Sequence, residues 1–206
     1  MKTEGTKNRF SARNLALCGV LGGMSTILMY IRFPLPFLPP FMSFDMAGVI
    51  EMIGGFVMGP LAAFAIILVK VVLLMITQGS MSAGTGEIQN ILLSSAYVIP
   101  AVLIYMRHKT KKTAVIGMAV GTVCCAILAV FTNMYLIIPF YVSFFGMTME
   151  DIISMCQTVN PYIKGPWGLV LMGVIPFNLV KNGILSIITY FTYKKISVHL
   201  KHFIKK

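Results

Sequence analysis

Charge is scarce in this chain. Only 11% of its 206 residues are Asp, Glu, Lys or Arg, and six of them are acidic. No polar stretch is longer than about 30 residues, which leaves no room for a soluble catalytic or DNA-binding module. The Gly-Lys dipeptide is absent, so the chain has no phosphate-cradling P-loop and no ATP hydrolysis of that kind. Histidine is confined to His108, His199 and His202, all in basic segments, which excludes a helical His-Glu-x-x-His zinc site. No Gly-x-Ser-x-Gly nucleophile elbow occurs. The cysteines Cys18, Cys124, Cys125 and Cys156 form no Cys-x-x-Cys pair, and three fall in apolar runs, where they read as small apolar residues. Glu51 and Glu87 are expected at opposite depths, which argues against a proton relay. The reading is of a protein that is not an enzyme and holds no metal or cofactor.

Hydrophobicity is abundant. Of the residues 57% are hydrophobic, and the mean hydropathy is +0.85. This composition is that of a multi-pass membrane protein with one domain over residues 1–206. A net charge of +11 would suggest nucleic acid in a soluble protein. Here the cations cluster at helix ends instead. Lys2, Lys7, Arg9 and Arg13 precede the first apolar run, Arg107, Lys109, Lys111 and Lys112 share a short loop, and Lys194, Lys195, Lys201, Lys205 and Lys206 form the tail. Arg32 and Lys164 alone fall on the other side. The positive-inside rule then places both termini in the cytoplasm and requires an even number of spans. Six are expected, all helical, with approximate bounds 10–31, 44–58, 61–77, 86–106, 113–138 and 168–193. The first run is long for a signal peptide and lacks a small-x-small cleavage site, so it is expected to be a retained helix.

Along the chain, Ala12, Ala16, Gly19 and Gly23 make a small-residue stripe on span 1. Such a stripe permits close helix approach in lipid, by a partner or by the protein's own helices. Four prolines within residues 34–40 forbid a helix and favour extended backbone, yet the segment is apolar and aromatic, as a pocket wall or lid would be. Asp45 reads as an N-cap of span 2 rather than a ligand. Span 2 is short for a bilayer, and Gly59-Pro60 turns directly into span 3. Lys70 suits a structural role, by pairing or by snorkelling. Glu87 opens span 4, where it caps the helix or meets a ligand together with Asn90 on the same face. Asn133, near the external end of span 5, makes a helix–helix hydrogen bond or lines a site, and Tyr135 lies beside it. Residues 139–165 form the longest external segment, with a short amphipathic helix near 147–155 that exposes Glu150 and Asp151.

The last span carries Pro176-Phe177-Asn178-Leu179-Val180-Lys181-Asn182. Asn178, Lys181 and Asn182 are spaced i, i+3, i+4 and share a helix face. A lysine in the bilayer centre costs roughly 2.5–3.5 kcal/mol on insertion scales. Pro176 has no N–H, so the Met172 carbonyl loses its helical partner. These groups form a polar binding wall, or Lys181 closes an ion pair with a residue such as Glu51.

Taken in order, Phe33-Pro34-Leu35-Pro36-Phe37, the Asp45-opened short helix, Gly54-Gly55…Gly59-Pro60, Gly86-Glu87…Asn90 and Pro176-Phe177-Asn178-Leu179-Val180-Lys181 resemble the riboflavin-specific S components of energy-coupling factor (ECF) transporters. The resemblance implies a six-helix binding subunit in the cell membrane. It also implies docking onto a transmembrane coupling protein and two cytosolic ATPases, which use the ATP. It assigns vitamin contacts to Asn133, Asn178 and Lys181, and a pocket cover to Leu38, Phe41 and Met42. Glu87, Asn90 and Tyr135 complete the candidate binding set. Ala12 and Ala16 fall where the family meets its coupling protein. The chemistry agrees, because one edge of isoalloxazine alternates acceptors with an N–H donor, while Asn supplies both functions and Lys supplies donors. Phe and Met can cover the ring faces. The alternatives are an S component for another vitamin or heterocycle, and a stand-alone small-molecule transporter. A co-purified yellow chromophore separates out the first. Uptake without an ATPase partner would mark the second, although no inverted repeat is evident.

Overall fold

The computed structural model describes residues 12–34, 43–80, 82–158 and 160–205. Leu38, Phe41 and Met42 lie outside the described residues. The elements run α1 (Ala12–Tyr30), β1 (Phe33–Pro34), β2 (Ser43–Phe44), α2 (Ala47–Met58), α3 (Pro60–Gln78), α4 (Thr85–Arg107), α5 (Lys111–Thr132), a π-turn (Asn133–Ile137), α6 (Ile138–Phe145), α7 (Met149–Gln157), α8 (Gly165–Leu169), a second π-turn (Val170–Val174) and α9 (Ile175–Lys205). Among the described residues five continuous helical runs are long and apolar enough to cross a membrane, and α2 is a shorter apolar helix.

The short helix α2 forms the centre. Every residue from Ala47 to Phe56 is buried, because α1, α3, α4 and α9 all pack on it. At 12 residues and about 1.5 Å each it is only ~18 Å long, which a helix enclosed by longer ones can tolerate. Its exit is tight. Gly59 takes φ 100°, a conformation that side chains resist, and Pro60 starts α3 where its missing N–H has no intrahelical partner to lose. Met52, Ile53, Val98, Val102 and Leu185 fill the main core between α2, α4 and α9. Helices α4 and α5 make the most extensive contact in the fold. Gly121 permits it, since a Cβ there would collide with the Tyr97 carbonyl oxygen. The basic turn between them is closed by a reciprocal capping box of Thr110 and Thr113.

Two expectations need correction. The proline-rich segment is flanked by a minimal antiparallel ladder, Phe33 opposite Phe44 and Pro34 opposite Ser43, so Phe44 belongs to a strand and not to span 2. The fifth span does not stop near residue 138. The helix continues through Pro139 to Phe145, giving a 35-residue run, Lys111–Phe145. The π-turn makes this possible. The Ile138 N–H reaches back five residues to the Asn133 carbonyl, and the wide turn absorbs a proline that an α-helical turn would exclude. The same device recurs on the last helix. The Ile175 N–H bonds to the Val170 carbonyl, and Pro176 follows. Both π-turns end two residues before a proline, and they touch each other. Helix α7 sits beyond them with Glu150 and Asp151 exposed, covering a second apolar core around Ile152, Cys156 and Val170.

Candidate functional site

A cavity of about 350 Å³ opens between α2, α3, α4, the α5 π-turn and α9. The face spaced i, i+3, i+4 on α9 borders it, and Asn178, Lys181 and Asn182 all line its wall. Asn133 joins them from the other π-turn. The two asparagines are held alike. Asn133 Nδ2 donates to the Ala129 carbonyl at 2.7 Å, and Asn178 Nδ2 donates to the Val174 carbonyl at 2.8 Å. Each amide gives one of its two N–H donors to the carbonyl four residues back. Asn178 Oδ1 meets the Cys125 thiol at 3.6 Å, a weak partner.

Lys181 is paired, though not with Glu51. Its Nζ lies 2.6 Å from Asp45 Oδ2 and 5.7 Å from the centre of the Phe177 ring. Asp45 is not the N-cap it was expected to be, because Met46 holds that position. Its Oδ1 still accepts the Ala47 N–H at 3.1 Å from just outside the helix, which begins at Ala47. Glu51 pairs instead with Lys70 at 2.5 Å, with both side chains almost wholly out of contact with solvent. Ser25 Oγ donates to Glu51 Oε1 at 3.2 Å, and Lys70 Nζ donates to Ser94 Oγ at 3.1 Å. Ser94 Oγ in turn reaches Asn90 Oδ1 at 3.4 Å.

Glu87 stands in the first turn of α4, with Oε2 accepting from Ser82 Oγ at 3.0 Å. It lines the same cavity as Glu51, so the two acids do not sit at unconnected depths. Asn90 also lines the cavity. Tyr135 does not. It is 78% exposed and stacks on Phe131 at 6.5 Å. The reason is helical geometry: two residues on from the inward Asn133 is about half a turn round the axis. The candidate set thus assembles at Asn133, Asn178, Lys181, Glu87 and Asn90, loses Tyr135, and gains Asp45, Glu51, Lys70 and Ser94. The signal for Ser94 was present in the sequence, since Glu87, Asn90 and Ser94 follow i, i+3, i+7 on one face.

Three acids (Asp45, Glu51, Glu87) and three bases (Arg32, Lys70, Lys181) line the cavity, so its formal charge balances. A smaller apolar cavity of about 190 Å³ lies under α7, lined by Ile138, Met147, Ile152, Met155 and Leu169. It shares Asn133, Ile137 and Tyr141 with the larger one. Among the described residues no cluster of His, Cys, Asp and Glu has the makings of a metal site.

On α1 the small residues separate by face. A Cβ on Gly22 would strike Val69 of α3, whereas Gly19 and Gly23 have open space and Ala12 and Ala16 are exposed. Among the described residues, none of the chain's own helices packs against the stripe.

Comparison with known proteins gives a consistent result. The model of a family described as "ECF transporter, substrate-specific component" matches residues 13–193. The chain is 26% identical over 189 residues to a protein of Staphylococcus aureus (strain TCH60) named riboflavin transporter RibU, covering 92% of this chain and 93% of the relative. It is 26% identical over 196 residues to riboflavin transporter FmnP of Bacillus subtilis (strain 168), covering 94% and 95%. A solved structure described as "Structure and mechanism of the S component of a bacterial ECF transporter" superposes with a TM-score of 0.71 at 25% identity, over 92% of this chain and 98% of the other. These relatives are transport proteins, not enzymes.

Proposed function

The chain belongs to the substrate-specific components of ECF transporters, and from that premise we propose that it captures riboflavin at the external face of the cell membrane. Uptake then proceeds together with a transmembrane coupling protein and two cytosolic ATPases. The single domain crosses the membrane six times, with α2 as the short sixth span and both termini in the cytoplasm. The basic turn at Arg107–Lys112 lies on the cytoplasmic side, and the mouth of the cavity, near Arg32 and Glu87, lies outside.

The observation that carries this reading is the cavity itself. At about 350 Å³ it falls within the ~300–1,000 Å³ range of small-molecule sites. Its balanced charge suits a neutral ligand and gives no surplus cation for a phosphate. Asn133 and Asn178 offer amide oxygens to a ring N–H, and Lys181 offers donors to ring carbonyls once it leaves Asp45. The names of relatives matching more than nine-tenths of the chain point to the same vitamin. Ala12 and Ala16, on the outward stripe of α1, form the surface for the coupling protein.

The test is purification from cells grown with flavins, followed by an absorption spectrum and a titration of riboflavin fluorescence. A bound yellow chromophore with quenched emission is expected. A colourless protein that quenches no added riboflavin would overturn the assignment.

A further inference from the structure

The cavity wall built by α2, α3 and α4 is unlike the wall on α9. Glu51 and Lys70 are 0% and 1% exposed, yet both border the cavity. Burying two ions costs several kcal/mol each even after relaxation, and a packed apolar pair of the same volume is often no worse for stability. Packing alone does not call for them. Their hydrogen-bonding capacity is also left incomplete. Glu51 Oε2 is buried without a partner among the described residues. Lys70 uses Glu51 and Ser94 and has a third N–H to give. Among the described residues Asn90 Nδ2 reaches only the Met29 thioether, at 3.7 Å.

We infer that the chain Glu51–Lys70–Ser94–Asn90 receives the polyhydroxyl side chain of the ligand, while Asn178 and Lys181 take the heteroatom edge of its ring. The inference rests on the ligand being a flavin with a ribityl chain. The wall alternates an acceptor (Glu51 Oε2), a donor (Lys70), a group that does both (Ser94) and a donor (Asn90 Nδ2). Each hydroxyl of a polyol donates one hydrogen bond and accepts others, so a row of hydroxyls can satisfy such an alternation. A flat ring edge offers only three such groups in the fixed order acceptor–donor–acceptor, which leaves Glu51 Oε2 unmet. The spacing also fits. Asn90 and Ser94 stand one helical turn apart, about 6 Å along α4, close to the span of a short polyol. Lys70 acts here partly as a positioning residue, since it holds the Ser94 hydroxyl.

The experiment compares riboflavin with lumiflavin, which has the same ring and a methyl group in place of the ribityl chain. Equilibrium binding of each is measured on the purified full chain, wild type and with Ser94→Ala, Asn90→Ala or Asn178→Ala. Wild type should bind riboflavin about tenfold or more tighter than lumiflavin. Ser94→Ala and Asn90→Ala should each erode that ratio severalfold by weakening riboflavin and leaving lumiflavin within about twofold. Asn178→Ala should weaken both flavins in proportion. The inference falls if wild type binds the two flavins equally, or if the α4 variants weaken both alike, as a structural role would. It falls together with the flavin assignment if wild type binds neither. Should Ser94→Ala not fold, the wild-type ratio and Asn90→Ala decide.

Discussion

Two lysines share the wall of one cavity, and the water left around them sets their roles. The Lys181 side chain is 21% exposed and its partner Asp45 is 9% exposed, whereas Lys70 and Glu51 are at 2% and 0%. A half-open pair can exchange partners with a ligand, while a sealed pair cannot separate without stranding a charge. Lys181→Ala or Asn178→Ala should therefore weaken riboflavin binding at least tenfold, about 1.4 kcal/mol each, with the fold retained. Titration of the purified variants checks this, and wild-type affinity in either would remove that residue from the site. Lys70→Met leaves Glu51 buried and unpaired and should lower stability by about 3–5 kcal/mol. Adding Glu51→Gln should recover much of that loss, because the remaining group is neutral. Thermal unfolding in detergent compares the three proteins, and a double variant no better than Lys70→Met would contradict the account. At this scale the sequence was legible in kind more than in pairing. The polar face of α9 reads directly from i, i+3, i+4 spacing. Which carboxylate meets which lysine depends on how deep α2 sits among its neighbours, and spacing along one helix carries no such information. Glu51 was therefore offered to Lys181, when it belongs to Lys70.

At the scale of the element, the π-turns do the positioning. Each lies just before a proline; Asn133 opens the first, and Asn178 donates to the carbonyl of Val174, the last residue of the second. Pro176→Ala returns an N–H to the turn that can bond the Met172 carbonyl, which favours ordinary α-helical winding over the wide turn. Flavin affinity should then fall severalfold while the unfolding temperature holds or rises. An unchanged affinity would show that the π-turn does not place Asn178. The freed carbonyl was legible in the sequence, but the wide turn that accommodates the proline was not, because it depends on contact between the two helices. The amphipathic helix near 147–155 was legible, and its start explains why. Thr148 and Asp151 close a reciprocal capping box at α7. Hydrogen bonds from the Thr148 side chain and backbone N–H hold the Asp151 carboxyl below its usual pKa. The cap is thus fully present above the ordinary carboxylate range and is lost as pH falls through the lowered value. Amide hydrogen exchange, corrected for intrinsic rates, should show protection in the first turn of α7 persisting at mildly acidic pH and disappearing only below it. Loss of protection already near neutral pH would contradict this.

For the whole molecule, the architecture was legible because the bilayer demands helices and punishes misplaced charge. Hydropathy alone marked the long spans, and it marked α2 as too short, which the structure resolves by enclosing α2 among longer helices. The function of the α1 stripe could not be read that way. A row of small residues permits close approach from either side, and only the fold shows that Gly22 faces α3 while Ala12, Ala16, Gly19 and Gly23 do not. A lipid-facing helix gains nothing from small side chains unless another helix comes close, since apolar chains of any size dissolve in lipid and packing drives association there. That consideration separates two properties that one subunit must combine. Ala16→Leu adds bulk on the outer face of α1, away from the cavity wall built by α2, α3, α4 and α9. Riboflavin binding by the isolated protein should stay within about twofold of wild type, while co-purification with a coupling protein and its ATPases, and vitamin uptake by cells, should fall sharply. If uptake survives Ala16→Leu, and also Ala12→Leu, the coupling surface lies on another helix and the exposed stripe on α1 has no part in energising transport.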